Sequence, residues 1–274
     1  VASYILGRDD PDRPHPLVVA GPNGRVFDVE ATELLRRKEQ AHFDRIAKDG
    51  GYVFLAVPST RWFSRQAITL SAPARTVARY DVRATTPLDD ATRSDLTREV
   101  KQALAYAAIA AALSRDRGGA TYLRLGEAMA QTVDTLASLG GYSYAGLDPA
   151  TLEPMFRGDD GTSATFDALP TRVRHLVTFA ALPVRALWGG YPGRDPREAE
   201  GIVAIDEVEL QQDGAVLGRI VPALRAALPG VQWIVTTSSA AVAASVEPSE
   251  TLALRRLPQA TDVQVFGDGA ATVH

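Results

Sequence analysis

Two chemical groupings stand out in the 274 residues: the adjacent carboxylates Asp206 and Glu207, and the hydroxyl run Thr236, Thr237, Ser238 and Ser239. Each follows a short apolar run, residues 201–205 and residues 231–235, rich in β-branched side chains. Such runs predict strands buried on both faces of a parallel sheet. An acid buried at a strand tip is costly unless it meets a cation, a donor or a substrate, and an α/β sheet sets its strand tips at the ligand crevice. Between the runs, Leu217, Ile220, Val221, Leu224 and Leu228 keep helical spacing until Pro229-Gly230 stops them. Strand, helix and strand form a right-handed βαβ unit that brings acids and hydroxyls to one sheet edge.

At these residues the chain resembles the ABC-type ATPase heads of the SMC, RecF and OLD branch. The resemblance is strongest over residues 201–239, covers the chain from about 164 onward, and is weak before Tyr52. It implies an α/β, P-loop NTPase-like fold with a largely parallel sheet flanked by helices and a helical-hairpin lobe. By resemblance the Asp-Glu pair is the Walker B motif: Asp206 is the metal residue, helping to hold Mg²⁺ beside ATP, and Glu207 is the catalytic residue, polarising the attacking water. The family's next strand ends in a histidine that senses the γ-phosphate. Here Ser238 stands in that place, and a serine can hydrogen-bond a phosphate but carries no charge. The family signature, Leu-Ser-x-Gly-Glu/Gln, is replaced by Leu169-Pro170-Thr171-Arg172-Val173-Arg174. Thr171 offers a hydroxyl, and Arg172 and Arg174 are either phosphate-facing in trans or ordinary surface arginines. Gln66, after an earlier strand, is a candidate for reaching the magnesium, with Arg61 beside it.

The remaining motifs of such heads are altered or absent. Gly21-Pro22-Asn23-Gly24 has the start of a phosphate-binding loop but continues Arg25-Val26-Phe27, and no Gly-Lys-Ser or Gly-Lys-Thr occurs in the chain. A β-hairpin turn accounts for the tetrad better than a phosphate cradle. Residues 1–16 read as a loop or an edge element, 28–49 as a helix carrying the basic run Arg36-Arg37-Lys38 on a solvated face, and 52–57 as a strand, with Trp62 and Phe63 as packing residues. Two helices follow over about 94–117 and 121–139, the first capped by Ser94, and they predict an antiparallel hairpin. Residues 158–163 read as a polar loop, 166–188 as a helix, 240–246 as a short helix, and 252–257 with 263–266 as a terminal hairpin. The domain division expected is 1–87 for the first part of the α/β lobe, 88–160 for a helical lobe, and 161–274 for the second α/β part.

Composition bounds the rest. Hydrophobic content is 46%, charged content 23% and net charge −4, ordinary for a globular chain and without the basic field of a dedicated nucleic-acid binder. There are no cysteines, which excludes disulfides and thiolate chemistry. His15, His42, His175 and His274 have no metal-ligand spacing. No apolar run reaches the roughly 20 residues of a membrane span, and a cytoplasmic location is expected. The chain begins at Val1, as a processed or partial product would, and its arginine- and alanine-rich usage suits a GC-rich bacterial genome. The resemblance implies a homo-oligomer closing through two heads on ATP and Mg²⁺, with a nuclease or other effector protein and DNA as partners, in DNA repair, chromosome maintenance or anti-phage defence. The degenerate motifs leave a second reading open, a pseudo-ATPase that dimerises or scaffolds.

Overall fold

The structure is a computed structural model that describes residues 53–68, 70, 72, 95–115, 119–253, 264–266 and 270–272. The expected tetrad turn at 21–24, the helix over 28–49, the N-terminal loop and the Ser94 cap lie outside the described residues. Gly50–Val246 forms one unit, and the residues from Glu247 onward belong to another.

The first unit is an α/β fold around a parallel sheet. Strands β1 (Phe54–Val57), β5 (Gly201–Ile205) and β6 (Val231–Val235) run in the order β1-β5-β6, all parallel. The central place of β5 follows from its apolar run: Val203 and Ile205 point into the core. Helix α4 (Gly214–Ala227) makes the β5-to-β6 crossover, and Val216, Ile220, Val221 and Leu224 form its buried stripe. Gly230 is needed at the return, because a Cβ there would lie 2.5 Å from the Ala199 carbonyl oxygen. The expectation of strands buried on both faces is corrected at β6. It is the end strand of the described sheet, and Gln232 and Ile234 alternate to an exposed face.

The longest buried element is helix α3 (Thr171–Gly190), preceded by a 3-10 turn at Phe166–Ala168 rather than starting at 166. Fourteen of its 20 residues are buried, the property of a helix covered on all sides. Helices α1 (Thr97–Ser114) and α2 (Ala120–Ala137) pack against each other and against α3. Their close approach requires Gly126, whose missing Cβ would stand 2.6 Å from the Ala111 Cβ. At the head of α1, Asp95 Oδ1 accepts the Thr97 amide at 3.1 Å.

A second, antiparallel sheet goes beyond the sequence expectation. Strands β2 (Tyr142–Leu147), β3 (Pro154–Gly158) and β4 (Ser163–Thr165) form a meander. Residues 158–163, read as a polar loop, hold the β3–β4 turn, with Gly161 at φ 82°. The sheet lies across the expected division at residue 160. In the second unit, the terminal hairpin pairs β7 (Gln264–Phe266) with β8 (Ala270–Thr272). The expected pairing uses 252–257 instead, and residues 254–257 lie outside the described ones. The short helix α5 spans Ala240–Ala243.

Candidate functional site

The parallel order of β1, β5 and β6 puts the residues after Val57, Ile205 and Val235 at one edge. Backbone bonds continue past the strands: the Asp206 amide donates to the Val57 carbonyl at 2.9 Å, and the Val208 amide to the Thr236 carbonyl at 3.1 Å. The three tips are thereby laced together. Asp206 and Glu207 are exposed, so the cost of burying an acid at a strand tip does not arise here.

Asp206 is nonetheless well supplied with donors. Thr236 Oγ1 donates to its Oδ1 at 2.5 Å. That bond, with bonds from the Ser59 hydroxyl and amide and the nearby Arg61 charge, holds the carboxyl below the usual Asp range. Asp206 is therefore an ionised acceptor at neutral pH. Glu207 has a different role in the backbone: its φ is 47°, in the left-handed region that side-chain-bearing residues rarely occupy. The Glu207 amide donates to Thr236 Oγ1 at 2.8 Å, so one threonine hydroxyl accepts from Glu207 and donates to Asp206. Its carbonyl accepts the Leu210 amide at 3.0 Å.

Beneath the pair lies a buried cation. Arg61 is 4% exposed. Its Nη1 donates to the Asp206 carbonyl at 2.6 Å and the Pro58 carbonyl at 2.9 Å, and its Nη2 to the Glu207 carbonyl at 2.7 Å. Its Nε donates to His175 Nδ1 at 3.2 Å, and its guanidinium sits 5.1 Å from the centre of the Phe179 ring. Burial lowers Arg61 to about 10, while Asp206, Glu207 and Glu209 pull it upward, so it is charged at pH 7. Burial first, then the Arg61 charge, depress His175 to about 4. It is a neutral acceptor for the arginine.

The other predicted residues fall in two places. Ser238 belongs to the edge, but its amide and hydroxyl both donate to Glu209 Oε1, at 2.6 and 2.9 Å. Burial acts to raise Glu209, but bonds from Ser238 and Thr237 outweigh it and hold the carboxyl low. In the first turn of α3, Arg174 Nη2 donates to Thr171 Oγ1 at 3.0 Å, and the Arg174 guanidinium lies 5.2 Å from the Phe63 ring centre. Arg172 pairs with Asp213 at 3.0 Å, and its carbonyl accepts from Gln212 Nε2 at 3.2 Å. Gln66 is bonded elsewhere: its Nε2 donates to Asp95 Oδ2 at 2.5 Å, and its carbonyl accepts from Lys101 Nζ at 2.5 Å. No bond links it to Asp206. Phe63 packs as expected, against Phe166 and His175, whereas Trp62 is 43% exposed.

Sequence reasoning weighs Arg61 only as a ligand-facing residue, and it misses Ser59 and Glu209. The Pro-Ser-Thr-Arg turn after β1 is the available signal, but nothing local to it encodes a bond to residues 145 positions away.

The donor set suits a hard cation: an ionised carboxylate flanked by the Thr236 and Ser59 oxygens. Among the described residues no three His, Asp or Glu converge on one point, so Asp206 would be a single protein carboxylate beside other oxygen ligands. That is the way Mg²⁺ is held next to phosphates.

No protein family and no curated protein matches the chain. Among solved structures, it is similar to an SMC head bound to the C-winged helix domain of ScpA, at 16% identity and TM-score 0.36, over 56% of this chain and 44% of that one. It is similar also to the SMC head domain from Thermotoga maritima, at 22% identity and TM-score 0.33, over 48% and 44% of the two chains. A third is the Smc head domain with an extended coiled coil bound to the C-terminal domain of ScpA from Pyrococcus furiosus, at 16% identity and TM-score 0.34, over 55% and 35%. The chain spans less than half the length of each.

Proposed function

We propose that this chain carries the water-activating edge of an ABC-type ATPase head. The observation that supports the reading most is the state of the acid pair at the tip of the central parallel strand. Asp206 is exposed, ionised and flanked by hydroxyls, and Glu207 is exposed on a backbone held in a rare conformation by Thr236 and Arg61. Asp206 would hold Mg²⁺, which supplies charge neutralisation beside ATP phosphates. Glu207 would orient a water for in-line attack. Ser238 would hydrogen-bond the phosphate from the switch position of the same head, Thr171 and Arg174 at the head of α3 would face phosphate across a pair of heads, so that a second copy of this chain completes the site, and Gln66 would reach the magnesium only after leaving Asp95. An effector protein, a nuclease in one version, and DNA are the partners this reading proposes, in chromosome maintenance, repair or anti-phage defence.

The second reading, a scaffold that dimerises with weak or lost nucleotide binding, is favoured by the internal bonds of the switch and signature positions. Ser238 is held by Glu209 and Thr171 by Arg174, and the sequence has no Gly-Lys-Ser/Thr. ATP binding and turnover by the full-length gene product, wild type beside Glu207→Gln, decide between them. The expected outcome is hydrolysis that falls by about 10²-fold or more in the variant, with ATP retained and a dimer accumulating. If neither protein binds ATP at near-millimolar concentration, about −4 kcal/mol, the scaffold reading stands.

A further inference from the structure

We infer that Arg61 is a positioning residue whose guanidinium clamps the Asp206 and Glu207 carbonyls, holds Glu207 in its left-handed conformation, and is itself braced by His175 of α3. The inference rests on the proposed role of the acid pair for its functional meaning, but its physical content is independent of that role.

Four of the five N–H donors of Arg61 are accounted for, by three carbonyls and one imidazole nitrogen. None of these four goes to a carboxylate. A cation placed to neutralise Asp206 or Glu207 would meet their carboxylate oxygens, whereas this one grips the carbonyls before and after the Cα of Glu207, the residue that carries the unusual φ. Left-handed backbone at a glutamate costs free energy and persists only where the surroundings over-determine it. Here they do: the Glu207 amide is held by Thr236, and its carbonyl by both Arg61 and Leu210. The planar fork of arginine reaches two carbonyls at once, which a lysine ammonium cannot reproduce with the same geometry.

The arginine is fixed in turn. His175 Nδ1 accepts from its Nε, and Phe179, one helical turn further along α3, underlies the guanidinium. Gln212 and Asp213, beyond the acid pair, bond to Arg172 at the head of the same helix. Helix α3 and the loop from Asp206 to Asp213 are therefore tied at both ends of the loop, with Arg61 as the tie at the acid pair. A displacement of the α3 head is transmitted to the Glu207 backbone through His175 and Arg61.

Amide exchange read by NMR tests the clamp. In the wild-type background, Arg61→Lys accelerates exchange at the Glu207, Val208 and Leu210 amides by about tenfold or more, the scale of one lost charge-assisted bond. In a Glu207→Gly background, where the left-handed backbone costs nothing, the same change accelerates them by less than about threefold. Glu207→Gln, which removes the charge and keeps the Cβ, preserves the large effect. Equal acceleration in the wild-type and Glu207→Gly backgrounds, or none in either, overturns the clamp. His175→Phe keeps ring packing and removes the acceptor, and it accelerates the same amides in the same direction; unmoved amides overturn the brace to α3. ATP binding on the same samples separates the two readings. A wild type that binds no ATP refutes the ATPase role and leaves the exchange result intact. A protein that hydrolyses ATP shows kcat lowered about tenfold in Arg61→Lys with KM within about twofold; an unchanged kcat there refutes the positioning role.

Discussion

His175 has the sharpest pH consequence of any single residue. Its folded value of about 4 lies below the ordinary 6.5, so the folded chain keeps it neutral where an unfolded chain protonates it. The stability this contributes is complete above pH 6.5 and is lost as pH falls toward 4, by an amount on the order of 3 kcal/mol. Protonation there would also place a second cation against Arg61. Urea unfolding at pH 7 and pH 4.5 checks this: wild type loses stability steeply, and His175→Gln, with nothing to protonate, has a flatter profile. Asp206, Asp95 and Asp195, all depressed below the ordinary 3.8, act lower still and do not account for a loss between pH 6 and 5. At this scale the acids and hydroxyls are legible in the sequence because they follow recognisable strands. The buried cation and imidazole are not, since a lone arginine in a turn and a lone histidine in a helix look like any others until the fold brings them within 3.2 Å.

Helix crossing supplies a prediction of opposite sign to intrinsic propensity. Gly126 sits inside α2, where alanine is normally better by about 1 kcal/mol. Its Cβ would meet the Ala111 Cβ at 2.6 Å, so Gly126→Ala is expected to destabilise by about 1–3 kcal/mol as overpacking does. Thermal melting should show the loss, and its recovery when Ala111→Gly is added. The elements that the sequence places well carry long, single-period patterns: residues 201–205 and 231–235 match β5 and β6, and the two alanine-rich segments match α1 and α2. The antiparallel sheet escapes because its strands are short. Tyr142 and Tyr144 alternate around Ser143, but a register shift between Tyr144 and Gly146 interrupts the period. Asp160-Gly161 between β3 and β4 is a hairpin signal in plain form, hidden by the polar residues on either side of it.

Across the larger unit, one buried lysine joins elements that no strand connects. Lys101, 1% exposed in α1, bonds to Asp167 at 2.9 Å, to Glu153 at 2.7 Å and to the Gln66 carbonyl at 2.5 Å. It ties the first helix, the antiparallel meander, the entry to α3 and the segment after β1. Lys101→Met is expected to cost about 3–5 kcal/mol, because two partly buried carboxylates lose their partner. The shift in urea midpoint measures this, and Asp167→Asn in the same chain should recover part of it; a change under about 1 kcal/mol would mark the cluster as no more than a surface pair.

The sheet itself has a consequence for assembly in time. Helices α1 and α2 and the meander close through neighbours in sequence, whereas β1 must find the distant β5, and Arg61 must find Asp206 across 145 residues. Closing so long a loop is the slow part of folding. On a ribosome the segment that holds Arg61 therefore waits, without these bonds, until the acid pair has been synthesised, and the edge where the chemistry is proposed is the last part of the unit to take shape.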